Sequence, residues 1–169
     1  MAELASRERL QPSLLDRLSD DEPGKTVEPR ERRVLFLRTL REGVLRDLAW
    51  LLNTTNLFSI VPTEKLPYLS NCVLNYGMPD MAGISLASLN LNALERGIRQ
   101  AIWDFEPRLI RDSVSVKALA GAKLNNKIMF AIEADMWAQP YPEHLYLKTE
   151  LDLDQGAILL TESIGRANS

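Results

Sequence analysis

Apolar residues recur along this chain with two different periods, and the change from one to the other organises the reading. Val34, Leu37, Leu40, Val44, Leu48 and Leu51 follow one another at steps of three or four. That spacing predicts one face of a long helix from about Arg30 to Asn53, with arginines on much of the other face. Leu91, Leu94, Ile98, Ala101, Ile102 and Phe105 repeat the pattern, predicting a second long helix that starts near Asn90 or Asn92 and ends by Phe105. Beyond it the period falls to two. Val114, Val116 and Ala118 alternate with polar neighbours, as do Ile128 to Met136 and Leu145 to Leu153. Three such runs, joined by "GAKLNN" and "QPYPE", predict an antiparallel meander. "AILLTE", from Ala157, offers a short fourth strand.

Helices first and strands later predict an α+β fold: two long helices and shorter ones packed on an antiparallel three- to four-stranded meander. "LPYLSNCVLNYG" reads as a short helix from Pro67 to Tyr76 closed by Gly77, with Cys72 as a small buried filler. Residues 1–29 read as an N-terminal tail. Within it "SLLDRL" forms a helical turn or two capped by Ser13, and the acidic "SDDEPGKTVEP" is a linker. Such a segment either folds onto a neighbour or packs back on its own domain. Residues 30–162 form one α+β domain, and 163–169 a C-terminal tail.

At 169 residues, 46% apolar and 25% charged, the chain suits one domain with a real core. No apolar run approaches the roughly 20 residues that span a bilayer, and the N-terminus lacks the apolar stretch of a secretory signal. The single cysteine excludes an internal disulfide and fits a reducing cytosol. A net charge of −3 argues against a nucleic-acid partner held by bulk attraction. The charge is uneven, basic from Arg30 to Arg46 and acidic from Glu133 to Glu162. That leaves two solvated faces, or two surfaces steering different partners.

The tripeptide Glu-Pro-Arg occurs twice. At Glu28-Pro29-Arg30 it is a helix start, with proline at the first helical position and a carboxylate near the positive dipole end. At Glu106-Pro107-Arg108 it follows a helix instead. Proline pushes Glu106 towards extended geometry, so Glu106 and Arg108 project the same way. Phe105 and Leu109 flank them. The result is either a two-charge tooth for another protein to grip or an ion pair that fixes the corner. As a tooth, it predicts that Arg108→Ala leaves the fold intact.

Catalytic chemistry has little to work with. One histidine, His144, cannot build a multi-histidine metal site, and no HExxH, CxxC or Gly-rich phosphate loop is present. Glycoside hydrolysis needs only two carboxylates, Glu106 with Asp104 or Asp112. Arg108, however, favours an ionised Glu106, whereas a general acid carries a proton.

"LLDRL" with its acidic linker, "LRDLAWLLNTT", "LPYLSNCVLNYGMPDMAGIS", "IRQAIWDFEPRL" and the strands through "LYLKTELDLD" together resemble the TssE family. TssE is the small baseplate subunit of bacterial type VI secretion systems, itself similar to the wedge protein of contractile phage tail baseplates. The resemblance runs from about Ser13 to Asp154. It implies a cytoplasmic structural protein, in a membrane-docked baseplate and without a cofactor, that joins the wedge core to the contractile sheath. It places the wedge-core docking motif on Glu106, Pro107 and Arg108, and likens the strands to the interlocking sheet of sheath subunits. The label "lysozyme-like" attached to that family leaves a peptidoglycan-cleaving muramidase using Glu106 as the alternative.

Overall fold

Strand pairing follows the period-two runs. The computed structural model describes residues 14–18, 32–61, 67–85, 89–119, 126–138 and 141–162. Four strands, β1 (Ser115–Ala118), β2 (Lys127–Met136), β3 (Glu143–Asp152) and β4 (Ala157–Glu162), form one antiparallel sheet in chain order. β2 and β3 pair over their full length, from Lys127 opposite Asp152 to Met136 opposite Glu143. Ile128, Phe130, Ile132, Ala134 and Met136 of β2 are buried, as are Leu145, Leu147, Thr149 and Leu151 of β3. A one-residue slip would turn all of these to the other face, so burial of one face fixes the register.

Among the described residues three α-helices complete the order: α1 (Leu14–Leu18), α2 (Arg32–Asn53) and α3 (Leu91–Phe105). Asn90 caps α3, its side chain accepting from the Ala93 N–H at 3.0 Å. Leu40, Val44, Leu48 and Leu51 of α2 join Leu94, Ile98 and Ile102 of α3 in one buried cluster with the sheet. α3 lies against β1, and α2 against β4. Arg41 of α2 pairs with both Glu143 and Glu162, tying the helix to β3 and β4. Burial alone would lower its pKa, but the two carboxylates outweigh it and hold the guanidinium charged.

The two outer strands are blunted by helix side chains. On β1 the Ala118 N–H donates to Glu95 Oε1 at 2.7 Å. On β4 the Ile158 N–H donates to Asn53 Oδ1, and its carbonyl accepts from Asn53 Nδ2, both at 2.8 Å. Asn53 therefore does for Ile158 what a fifth strand would do, closing part of an edge open to pairing.

The expected helix from Pro67 to Tyr76 does not form. Two 3₁₀ turns, Pro67–Leu69 and Val73–Asn75, stand there instead. Cys72 between them is extended and half-buried rather than a core filler. The reason is that most of the segment's large apolar residues find no core: Tyr68, Val73 and Leu74 are exposed, and only Tyr76 at its end packs against the interior. Asn75 turns inward, accepting from the Phe58 N–H and donating to the Ser70 carbonyl. The first Glu-Pro-Arg, Ser13, the acidic linker and residues 163–169 lie outside the described residues.

Gly77 follows these turns at φ 120°, where Met78 bonds back to Thr54 and Asn56 at the end of α2. A Cβ there would sit 2.1 Å from the Thr54 carbonyl oxygen, whereas one on Gly83 (φ 73°) would meet open space. Gly77→Ala is expected to cost about 3 kcal/mol or more in urea unfolding, against about 1 kcal/mol for Gly83→Ala. Equal costs would show that the stitch between loop and helix does not matter.

Candidate functional site

α3 ends at a carboxylate. Glu106 is its C-cap, at φ −121° and ψ 78°, with its N–H still bonded to Ile102. Pro107 follows and stops the helix. The backbone then runs beside the end of β2: Trp137 N–H donates to the Arg108 carbonyl at 2.9 Å, and Ile110 N–H to Asp135 at 2.8 Å. Leu109, between those bonds, is buried. The corner is therefore held by the helix on one side and by the sheet on the other.

A carboxylate at a helix C-terminus faces the negative end of the dipole, and Glu106 is only 4% exposed. Arg108 offsets both penalties. Its Nε donates to Glu106 Oε1 at 2.7 Å and its Nη2 to Oε2, a two-point fork. The Arg108 backbone N–H adds a third bond to Oε1 at 3.2 Å. Nη2 also reaches Asp47 Oδ2 of α2 at 2.6 Å. Burial alone would lower the guanidinium's pKa, but Glu106 and then Asp47 outweigh it, and Arg108 is held charged well above its ordinary range.

The series continues along α2. Asp47 pairs with Arg46 at 2.9 Å, and Arg46 Nη1 with Asp16 of α1 at 2.6 Å. Tyr76 walls the group: its hydroxyl donates to the Asp47 carbonyl at 3.2 Å, and its ring packs edge-on against Phe105 at 5.3 Å. Burial, then the negative charges of Asp47 and Glu106, push the phenol's pKa up. One polar atom is left over. Arg108 Nη1 is buried with no hydrogen-bond acceptor among the described residues, which is costly to maintain unless something fills the place.

Of the residues picked out by sequence, the structure brings Glu106 and Arg108 together with Pro107 exposed at the tip. Asp104 goes elsewhere, bonding Gln100 at 2.9 Å and Arg111 at 3.6 Å. Asp112 stays exposed in a 3₁₀ turn. His144 meets Asp135 at 2.7 Å on an exposed part of the sheet. Arg111 is stacked over Trp103 at 5.5 Å. Both Glu106 oxygens are buried and engaged, so the carboxylate has no face to offer a sugar. Among the described residues no group of His, Cys, Asp or Glu is placed to hold a metal. Sequence reasoning missed Asp47, Arg46 and Asp16. A glycine at position 43, inside a long helical pattern, was the one signal that something approaches α2 closely there.

The family model described as "Baseplate wedge protein gp25" matches residues 38–141, more than half of the chain and all of the Glu-Pro-Arg corner. No curated protein and no solved structure matches the chain.

This burial overturns the expectation that Arg108→Ala leaves the fold intact. The substitution strands Glu106 without its counter-ion and should cost about 2–4 kcal/mol in urea unfolding. The pair Glu106→Gln with Arg108→Gln, which can still exchange an amide hydrogen bond, should recover most of that loss. A double variant no more stable than Arg108→Ala would show that the penalty does not come from a stranded charge.

Proposed function

Because the chain belongs to the baseplate wedge protein gp25 family, we propose that it is the TssE-type structural subunit of a type VI secretion baseplate, joining the wedge core to the contractile sheath through the unit spanning residues 30–162. The observation that carries this reading is the corner itself. An acid and a base are held rigidly beside an exposed proline, braced by two helices and the sheet. A buried guanidinium N–H there lacks an acceptor among the described residues. That geometry suits recognition, in which a partner's carbonyl or carboxylate completes the arginine's hydrogen bonding. It does not suit hydrolysis, since Glu106 is enclosed and spent on Arg108. On this reading Glu106, Pro107 and Arg108 meet the helices of the wedge core, and the protein is not an enzyme and needs no cofactor. Among the described residues no helix is long and apolar enough to cross a membrane. Attachment to the cytoplasmic side of a membrane complex would thus come through other subunits, with no nucleic acid involved.

Sheath contact is assigned to a strand edge. The β1 edge around 113–119 and the β4 edge around 157–161 are the two outer edges of the sheet. On β4 the cap by Asn53 falls at Ile158, one repeat before Leu160, whose backbone groups share the outward side. β4 is accordingly the better acceptor of an added strand.

Two outcomes check these contacts. The charge-free Glu106→Gln, Arg108→Gln chain should stay folded and capture wedge-core proteins at least about 30-fold more weakly, as expected for loss of a central charged contact. Capture at the wild-type level would overturn the docking role. Sheath subunits should slow hydrogen exchange at Leu160 and Glu162, and unchanged exchange there would rule out strand addition on β4.

A further inference from the structure

Gly43 sits in the interior of α2, where glycine is about 1 kcal/mol worse than alanine. Its surroundings supply the reason. A Cβ at Gly43 would lie 2.8 Å from Asp16 Oδ2 and 3.7 Å from Arg108 Nη1. The missing side chain is a notch in the helix, with a carboxylate approaching from one side and, from the other, the arginine N–H that has no acceptor among the described residues. Arg46, one turn along, anchors the same carboxylate through Nη1 at 2.6 Å and lies over the Trp50 ring at 5.3 Å.

We propose that the Gly43 notch, flanked by Arg46 and Arg108, is a receptor for an acidic side chain, occupied by Asp16 of this chain, so that α1 covers the docking corner until the wedge core displaces it. The inference rests on the docking role proposed for Arg108. Its own support is independent of the family. Asp16 is only 11% exposed at its side chain, whereas Leu14 and Leu15 are 68% and 45% exposed. Among the described side chains of α1, the enclosed one is therefore the Asp16 carboxylate. Arg108 Nη1, in turn, is shut off from solvent, so an incoming acceptor must open the site, and the notch is where a short segment lies over it. A partly exposed ion pair closes such a segment only weakly, which makes it displaceable.

The test uses the full chain, and its two cover variants leave Glu106, Arg108 and Asp47 unchanged. Asp16→Ala removes the occupant's charge, and Gly43→Ala fills the notch while improving the helix. Hydrogen exchange at residues 14–18 should quicken in both variants of the isolated protein. Asp16→Ala should bind the wedge-core proteins about three- to five-fold more tightly than wild type, the range of one such ion pair. In the wild-type complex the amides of α1 should lose protection. Unchanged or weaker binding by Asp16→Ala, or α1 gaining protection in the complex, would overturn the cover and make α1 a bystander or a part of the interface. Glu106→Gln with Arg108→Gln serves as the control. If it binds normally, the docking role fails and the cover with it. If it loses binding while Asp16→Ala behaves as wild type, only the cover fails.

Discussion

One guanidinium makes this corner possible. Arg108 neutralises a carboxylate that a helix C-terminus and burial both disfavour, and the same group reaches across to Asp47 on α2. Neither acid would be comfortable alone. Glu106 would be a buried charge at the wrong end of a dipole, and Asp47 would face α3's terminus with less to offset it. Because the two helices meet through this group, the end of α3, the turn at Pro107 and the start of the run beside β2 are set together. Leu109 is then delivered to the core and Pro107 to the surface.

Under the proposed docking role, this arrangement puts folding and recognition on the same residues. A contact residue that only decorates a surface can be removed at no structural cost. Arg108 cannot, because it is also a counter-ion. Its third nitrogen lacks an acceptor among the described residues, and on the proposed docking role a partner would be reading that remainder. The sheet shows the same economy. Its outer strands are exposed to pairing in principle, yet Glu95 and Asn53 each occupy one backbone position of an edge. Pairing between free chains is thereby discouraged, while among the described residues the Asn53 cap on β4 falls at Ile158 alone.

The legible parts of the fold were those where burial is periodic. The apolar stripes of α2 and α3 and the alternation in β2 and β3 were read with ends close to those observed, because a face that must be buried writes its period into the chain. The fourth strand was readable for the same reason. The segment from Pro67 to Tyr76, which reads as a short helix closed by Gly77, departs from that reading. With Tyr68, Val73 and Leu74 exposed, nothing held a continuous helix there, and two short turns formed instead.

The sequence by itself determined that Glu106 and Arg108 would stand at a proline corner pointing the same way, since a proline after a helix and the i, i+2 rule are local constraints. It also determined the α+β class and the order of helices and strands. Only the tertiary structure decided that the pair is buried, that Asp47 shares the arginine, and that Asp16 enters the notch at Gly43. Those facts depend on which residue lies opposite which across α1, α2 and α3. Asp16, the Arg46–Asp47 pair and the Glu106–Arg108 pair come from three separate stretches of the chain, and packing alone brings them into one series of alternating charges.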